Sequence, residues 1–149
     1  MDSMADTLTR AGMFFEDLTV GMEATHEHRV TDADIQAFSA LSGDRNPVHL
    51  DSAYAAGTIF KDRIAHGIMT ASYISTIFGM KLPGPGAIYV SQTLNFKGPV
   101  KIGDLVEARV TLQELIPGKR RALFSCECKV REKTVLAGDA ILMVPGRAA

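Results

Sequence analysis

Between Ile64 and Gly79 the chain carries Ile68, Met69, Ala71, Tyr73, Ile74, Ile77 and Phe78, which fall on nearly every face of a helix. A helix with so little polar surface must be buried on most sides. The segments after it can provide that burial. Ala87–Phe96, Leu105–Ile116, Arg121–Val130 and Val135–Val144 read as strands, with Lys81–Gly86 as the Pro/Gly loop before them. Val106, Ala108, Val110 and Leu112 share one strand face. Pro117-Gly118-Lys119 turns the second strand into the third. The pattern predicts an α+β protein: four hairpin-connected antiparallel strands curled around a central helix at about 64–79.

The first half is organised around shorter elements. Phe14–Val20 is an apolar lead-in ending at Gly21, and Glu23–Val30 alternates weakly, as an edge strand does. Thr31 can cap a helix with Asp34 in its first turn; Ile35, Phe38 and Leu41 give it an apolar stripe, and Ser42-Gly43 ends it. Asp51–Ala56 suits a second short helix stopped by Gly57. A length of 149 residues, 46% hydrophobic and 22% charged, fits a single globular domain over 13–149 after a flexible stretch 1–12.

A net charge of −1 argues against nucleic acid or an anionic membrane as the main partner. No run approaches the ~18 apolar residues of a membrane span. The polar start, with Asp2 and Asp6, lacks the form of a secretory signal, so a cytoplasmic setting is expected. Cys126 and Cys128 lie two apart and share a strand face, which suits reduced, packed thiols. His26 and His28 also share a strand face, where solvent exposure is expected. No cluster has the spacing of a structural zinc site.

Gly43-Asp44-Arg45-Asn46-Pro47-Val48-His49 places an acid and an imidazole on a segment unsuited to a regular helix. Gly43 frees the backbone and Pro47 disfavours helical geometry at Asn46. The segment has two readings. One is ordinary turn chemistry, with Asp44 bonding the backbone two residues on. The other is an acid/base pair holding one water, since a carboxylate is ionised and a histidine titrates near neutral pH.

The surrounding sequence favours the second reading. Phe38-Ser39-Ala40-Leu41-Ser42-Gly43-Asp44-Arg45-Asn46-Pro47-Val48-His49, followed by Arg63-Ile64-Ala65-His66-Gly67-Ile68-Met69, resembles the hydratase motif of the MaoC-like, R-specific enoyl-CoA hydratases. Pro83-Gly84 and Ser91–Val100, then Ile102-Gly103-Asp104, extend the likeness, which runs from about Thr31 to Asp104. It is strongest to the short hydratases that feed polyhydroxyalkanoate synthesis.

The resemblance implies a hotdog fold closed by homodimerisation, and reversible R-specific hydration of trans-2-enoyl-CoA to (R)-3-hydroxyacyl-CoA. It implies Asp44 as general base, His49 as its partner on the water, and the Gly67 N–H as oxyanion donor. Gly67 has a second reading as a glycine required only by tight packing. Asn46 and His66 are placed on the substrate side, Asn46 pinning the turn and His66 lining the site or supporting the helix start. Ser75 and Phe78 line the acyl pocket in the resembling enzymes, and the bulk of Phe78 suggests acyl groups of about C4 to C6. Lys97, and more weakly Lys119-Arg120-Arg121, can meet the phosphates of coenzyme A, which enters as part of the substrate. No metal or other cofactor is expected. The alternatives are a dehydratase acting on acyl carrier protein thioesters, a thioesterase, and a non-catalytic acyl-CoA-binding domain.

Overall fold

A computed structural model describes residues 12–147. Residues 1–11 of the expected flexible stretch lie outside the described residues. Gly12 donates its N–H to the Pro85 carbonyl at 3.0 Å. In chain order the elements are β1 (Glu23–Arg29), α1 (Asp32–Ser42), α2 (Pro47–Leu50), α3 (Ser52–Ala56), α4 (Gly67–Met80), β2 (Ile88–Gln92), β3 (Asn95–Phe96), β4 (Leu105–Ile116), β5 (Arg121–Val130) and β6 (Lys133–Met143).

The sheet is antiparallel and open, in the order β1-β4-β5-β6-β2, with β3 also on β6. It wraps α4, which contacts β1, β4, β5 and β6. This is the hotdog arrangement expected. Ile74 and Ile77 on the helix are fully buried, as are Val106, Ala108 and Val110 of β4. Cys126 and Cys128 are buried and unpaired in the same core, where burial pushes both thiols up to about 12.

Only β4, β5 and β6 follow one another as hairpins. The run 88–96, expected to pair with the next strand, instead crosses to β6, because alternation marks a strand without naming its partner. It also breaks at Thr93-Leu94. There Thr93 N–H donates to Asp139 O at 2.8 Å, and Asp139 N–H donates to Thr93 Oγ1 at 2.9 Å. Gly138 permits the crossing: a Cβ at that position would sit 1.8 Å from the Thr93 carbonyl oxygen.

The central helix begins at Gly67, not Ile64. Ile64 bridges Lys101, and Ala65 N–H donates to Val100 O at 2.7 Å, so these apolar residues are extended. Within one chain the helix is also less enclosed than its composition suggests. Ile68, Ser72, Ser75 and Gly79 form an exposed stripe at helical spacing. No helix among the described residues is long and apolar enough to cross a membrane.

The N-terminal half folds by caps. Thr31 and Asp34 form a capping box on α1, and Gly43 ends it in the left-handed region at φ 82°. The expectation of no regular helix holds only as far as Asn46. Pro47 occupies the first turn of α2, where its missing N–H costs nothing, and Asn46 caps it. The two strand histidines are not solvent-exposed as expected. They are half-buried beside Tyr73, and His28 Nε2 lies 2.7 Å from Asp34 Oδ2, tying β1 to α1.

Candidate active site

A chain of local bonds shapes the turn after α1. Ser42 Oγ accepts from Asp44 N–H at 3.1 Å, Asp44 Oδ1 accepts from Asn46 N–H at 3.1 Å, and Asn46 Oδ1 accepts from Val48 N–H at 3.2 Å. Asp44 therefore makes the ordinary turn bond, and its other carboxylate oxygen takes no part in it. Asn46 pins the backbone at the start of α2.

That turn delivers His49 into a buried position, 8% exposed. Its Nδ1 lies 2.8 Å from the Ile64 carbonyl oxygen. A carbonyl only accepts, so Nδ1 carries the hydrogen and Nε2 presents a bare lone pair. His66, 2% exposed, stacks on His49 with ring centroids 3.8 Å apart. Its Nε2 lies 3.0 Å from the Asp44 carbonyl oxygen and 3.2 Å from Ser39 Oγ, so Nε2 carries the hydrogen there and Nδ1 is left without a partner. His66 thus buttresses both the Asp44 backbone and the His49 ring.

One ligand-type atom from each of Asp44, His49 and His66 lies within 4.8 Å of the others. Asp44 and His49 were expected together; His66 joins them from a distant segment, and the three form a cluster that could hold a cation. The Ile64 carbonyl takes His49 Nδ1, and the Asp44 carbonyl and Ser39 Oγ take His66 Nε2, which leaves one free ring nitrogen on each imidazole. A carboxylate and a free imidazole nitrogen this close can share one water.

Burial, then the neighbouring His66, hold the His49 imidazole below the ordinary histidine value of 6.5; the Ile64 carbonyl and Asp44 oppose this only in part. His49 is then neutral at pH 7. If the neutral ring is the working form, kcat/KM persists as pH falls below 6.5 and drops only through the lowered pKa. A pH–rate profile with its acid limb at or above pH 7 would rule this out.

Gly67 is the first residue of α4, where backbone N–H groups lack intrahelical partners and the helix dipole favours negative charge. It lines an open, mainly apolar cavity of about 550 Å³ together with Phe60, Ile68, Phe96, Val135 and Lys97. Ile64, the acceptor for His49, and Ala65 also contribute to its wall; the side chains of Asp44 and His49 do not.

Two residues expected on the acyl pocket do not border this cavity. Phe78 is 2% exposed in the core, packed on Phe124 and Tyr89, and Ser75 lies on the exposed stripe of α4. Neither lines the cavity, because they lie about two and three turns further along α4 than Gly67. Lys119 and Arg120 border a separate cleft with Gly86 and Pro145. Two partners of the site, Ser39 and Arg63, carried no assigned role in the sequence reading. Both stand inside the motif stretches, yet their partners are distant in the chain.

The MaoC like domain model matches residues 17–135. The chain is 50% identical over 133 residues to a 3-hydroxybutyryl-CoA dehydratase of Methylorubrum extorquens, covering 89% of this chain and 85% of the relative. It is 48% identical over 134 residues to an (R)-specific enoyl-CoA hydratase of Rhodospirillum rubrum, covering 90% and 93%. Among solved structures it is similar to the unliganded R-hydratase PhaJ1 from Pseudomonas aeruginosa. That match has a TM-score of 0.86 at 42% identity and covers 91% of this chain and 88% of the other.

Proposed function

The chain belongs to the MaoC-like domain family, and from that premise we propose that it is a hydratase/dehydratase that adds water to trans-2-enoyl-CoA to give (R)-3-hydroxyacyl-CoA, reversibly. The observation that carries the reading is the meeting of the Asp44 carboxylate with the His49 imidazole.

In the proposed mechanism a water sits between Asp44 and His49 Nε2. Its oxygen bonds to C3 as Asp44 removes a proton, and the C2–C3 π electrons move onto the thioester oxygen. The Gly67 N–H, aimed by the start of α4, stabilises that oxyanion. The removed proton then returns to C2. Delivery of hydroxyl and proton from one side is syn addition. A proton and a hydroxyl move without net electron transfer, so the chemistry calls for no redox group.

Three finer features belong to the proposal. A homodimer is supported by the exposed stripe of α4 and by the free β2 edge, where Ile88, Tyr89 and Val90 are each at least 40% exposed; a monomeric mass by light scattering at micromolar concentration would remove it. Two neighbouring unpaired thiols support a cytoplasmic setting, and secretion of the natural protein in fractionated cells would reject it. A short-chain preference is supported by the relative named for a 3-hydroxybutyryl thioester, Phe78 having no place on the cavity.

The test is hydration of crotonyl-CoA, followed by loss of its absorbance and chiral analysis of the product. The expected result is the R alcohol, with kcat/KM for crotonyl-CoA above that for octenoyl-CoA and above that for the same acyl group on acyl carrier protein. An S product refutes the stereochemistry, and a preference for octenoyl or for the protein-bound thioester refutes the corresponding part of the substrate assignment.

A further inference from the structure

A single guanidinium is bonded to both arms of the site. Arg63 donates from Nε to the His49 carbonyl at 2.6 Å and from Nη2 to Asp32 Oδ1 at 2.6 Å, with its side chain only 15% exposed. Asp32 opens α1, the helix whose far end delivers Asp44. The next residue, Ile64, donates N–H to Val48 O at 3.2 Å and accepts from His49 Nδ1 at 2.8 Å. Three bonds thus lace Val48-His49 to Arg63-Ile64, and one of them is charge-assisted.

The element that carries His49 needs such support. α2 has four residues, too few to persist on its own hydrogen bonds. The direction in which His49 Nε2 points therefore depends on what grips the backbone and Nδ1 from outside the helix.

We infer that Arg63 is a positioning residue for the hydration reaction: it clamps the His49 backbone to the start of α1, keeping Nδ1–H on Ile64 and the bare Nε2 turned towards the water shared with Asp44. Arg63 does not touch the substrate in this role. The inference rests on the reading of Asp44 and His49 as the water-holding pair. A lysine cannot replace it, because one ammonium on a flexible stem does not span two acceptors as a planar fork does.

The experiment pairs kinetics with spectroscopy on the full-length protein. Arg63→Ala is expected to lower kcat about 10- to 100-fold, the scale of a small misplacement of a catalytic group, with KM changed little. Millimolar guanidinium should restore part of that loss. The ¹⁵N signature of a neutral, Nδ1-protonated His49 should weaken in the variant. Arg63→Lys should stay well below wild type, and Asp32→Asn, a change at a half-exposed residue, should give a smaller loss of the same kind.

Wild-type kcat in Arg63→Ala overturns the inference, as does an unaltered His49 signature. If Arg63→Ala does not fold, unchanged kcat and unchanged ¹⁵N shifts in both Arg63→Lys and Asp32→Asn overturn it. Asp44→Asn assayed alongside separates the two readings. If Asp44→Asn is inactive while Arg63 variants behave as wild type, the acid/base pair stands and only the clamp falls. If Asp44→Asn is active, the pair itself is lost.

Discussion

Asp44→Asn and His49→Gln are each expected to lower crotonyl-CoA hydration by about 10²–10⁴-fold, the range for loss of a general acid/base group. Asparagine keeps the Oδ1 acceptor that Asp44 offers to Asn46 N–H, so the turn survives and the loss reports on chemistry. Glutamine at 49 removes the bare imidazole nitrogen that faces the water. The two groups act on one water, so the double variant should lose little more than the worse single variant. Fully multiplicative losses would mean that the two residues act in separate steps. Turnover near wild type in both single variants would remove the mechanism altogether.

The second large effect is expected at Gly67. Gly67→Ala should reduce kcat/KM by about 10²-fold or more, the scale of losing one oxyanion donor. The backbone N–H remains in this variant, but the new Cβ blocks a thioester oxygen from reaching it. A rival explanation is built into the structure: a Cβ at 67 would lie 2.6 Å from Phe96 Cε1, so the glycine could serve packing alone. Phe96 is 55% exposed and its ring can move. The double variant Gly67→Ala/Phe96→Ala separates the two. If the clash is the whole reason for glycine, removing the ring restores activity. If Gly67 leaves room for the oxyanion, activity stays low. Thermal melting of both variants checks that the fold is intact.

Much of the secondary structure was legible because it rests on local rules. Thr31, Asp34 and Gly43 bracket α1 through capping and left-handed backbone, which are properties of a few adjacent residues. β4 and β5 match their expected limits because their alternation is strict and a tight turn separates them. The run 88–96 was recognisable as extended, but its partner was not. Pairing with β6 depends on where the chain passes after α4, and Gly138 makes room for that passage some forty residues later. Apolarity alone also misled: Ile64 and Ala65 are held extended by the bridge to Lys101 and the bond to Val100 O, so α4 starts after them.

The same division runs through the site. Asp44, His49 and Gly67 could be named from their motif. Ser75 and Phe78 were named from it too, and they lie about two and three turns along α4 from Gly67, off the cavity that Gly67 lines. Half-burial of His26 and His28 needed Tyr73 and Asp34, which lie on other elements.

The order of residues was enough to specify a mostly apolar helix, the strands and an acid/imidazole turn, because each of these depends on neighbours a few positions apart. Folding alone decided which nitrogen of His49 is bare, what stacks upon it, and which cation holds it. Those outcomes depend on Ile64, His66 and Arg63, whose contacts with the turn form only when distant segments pack together and water is excluded between them.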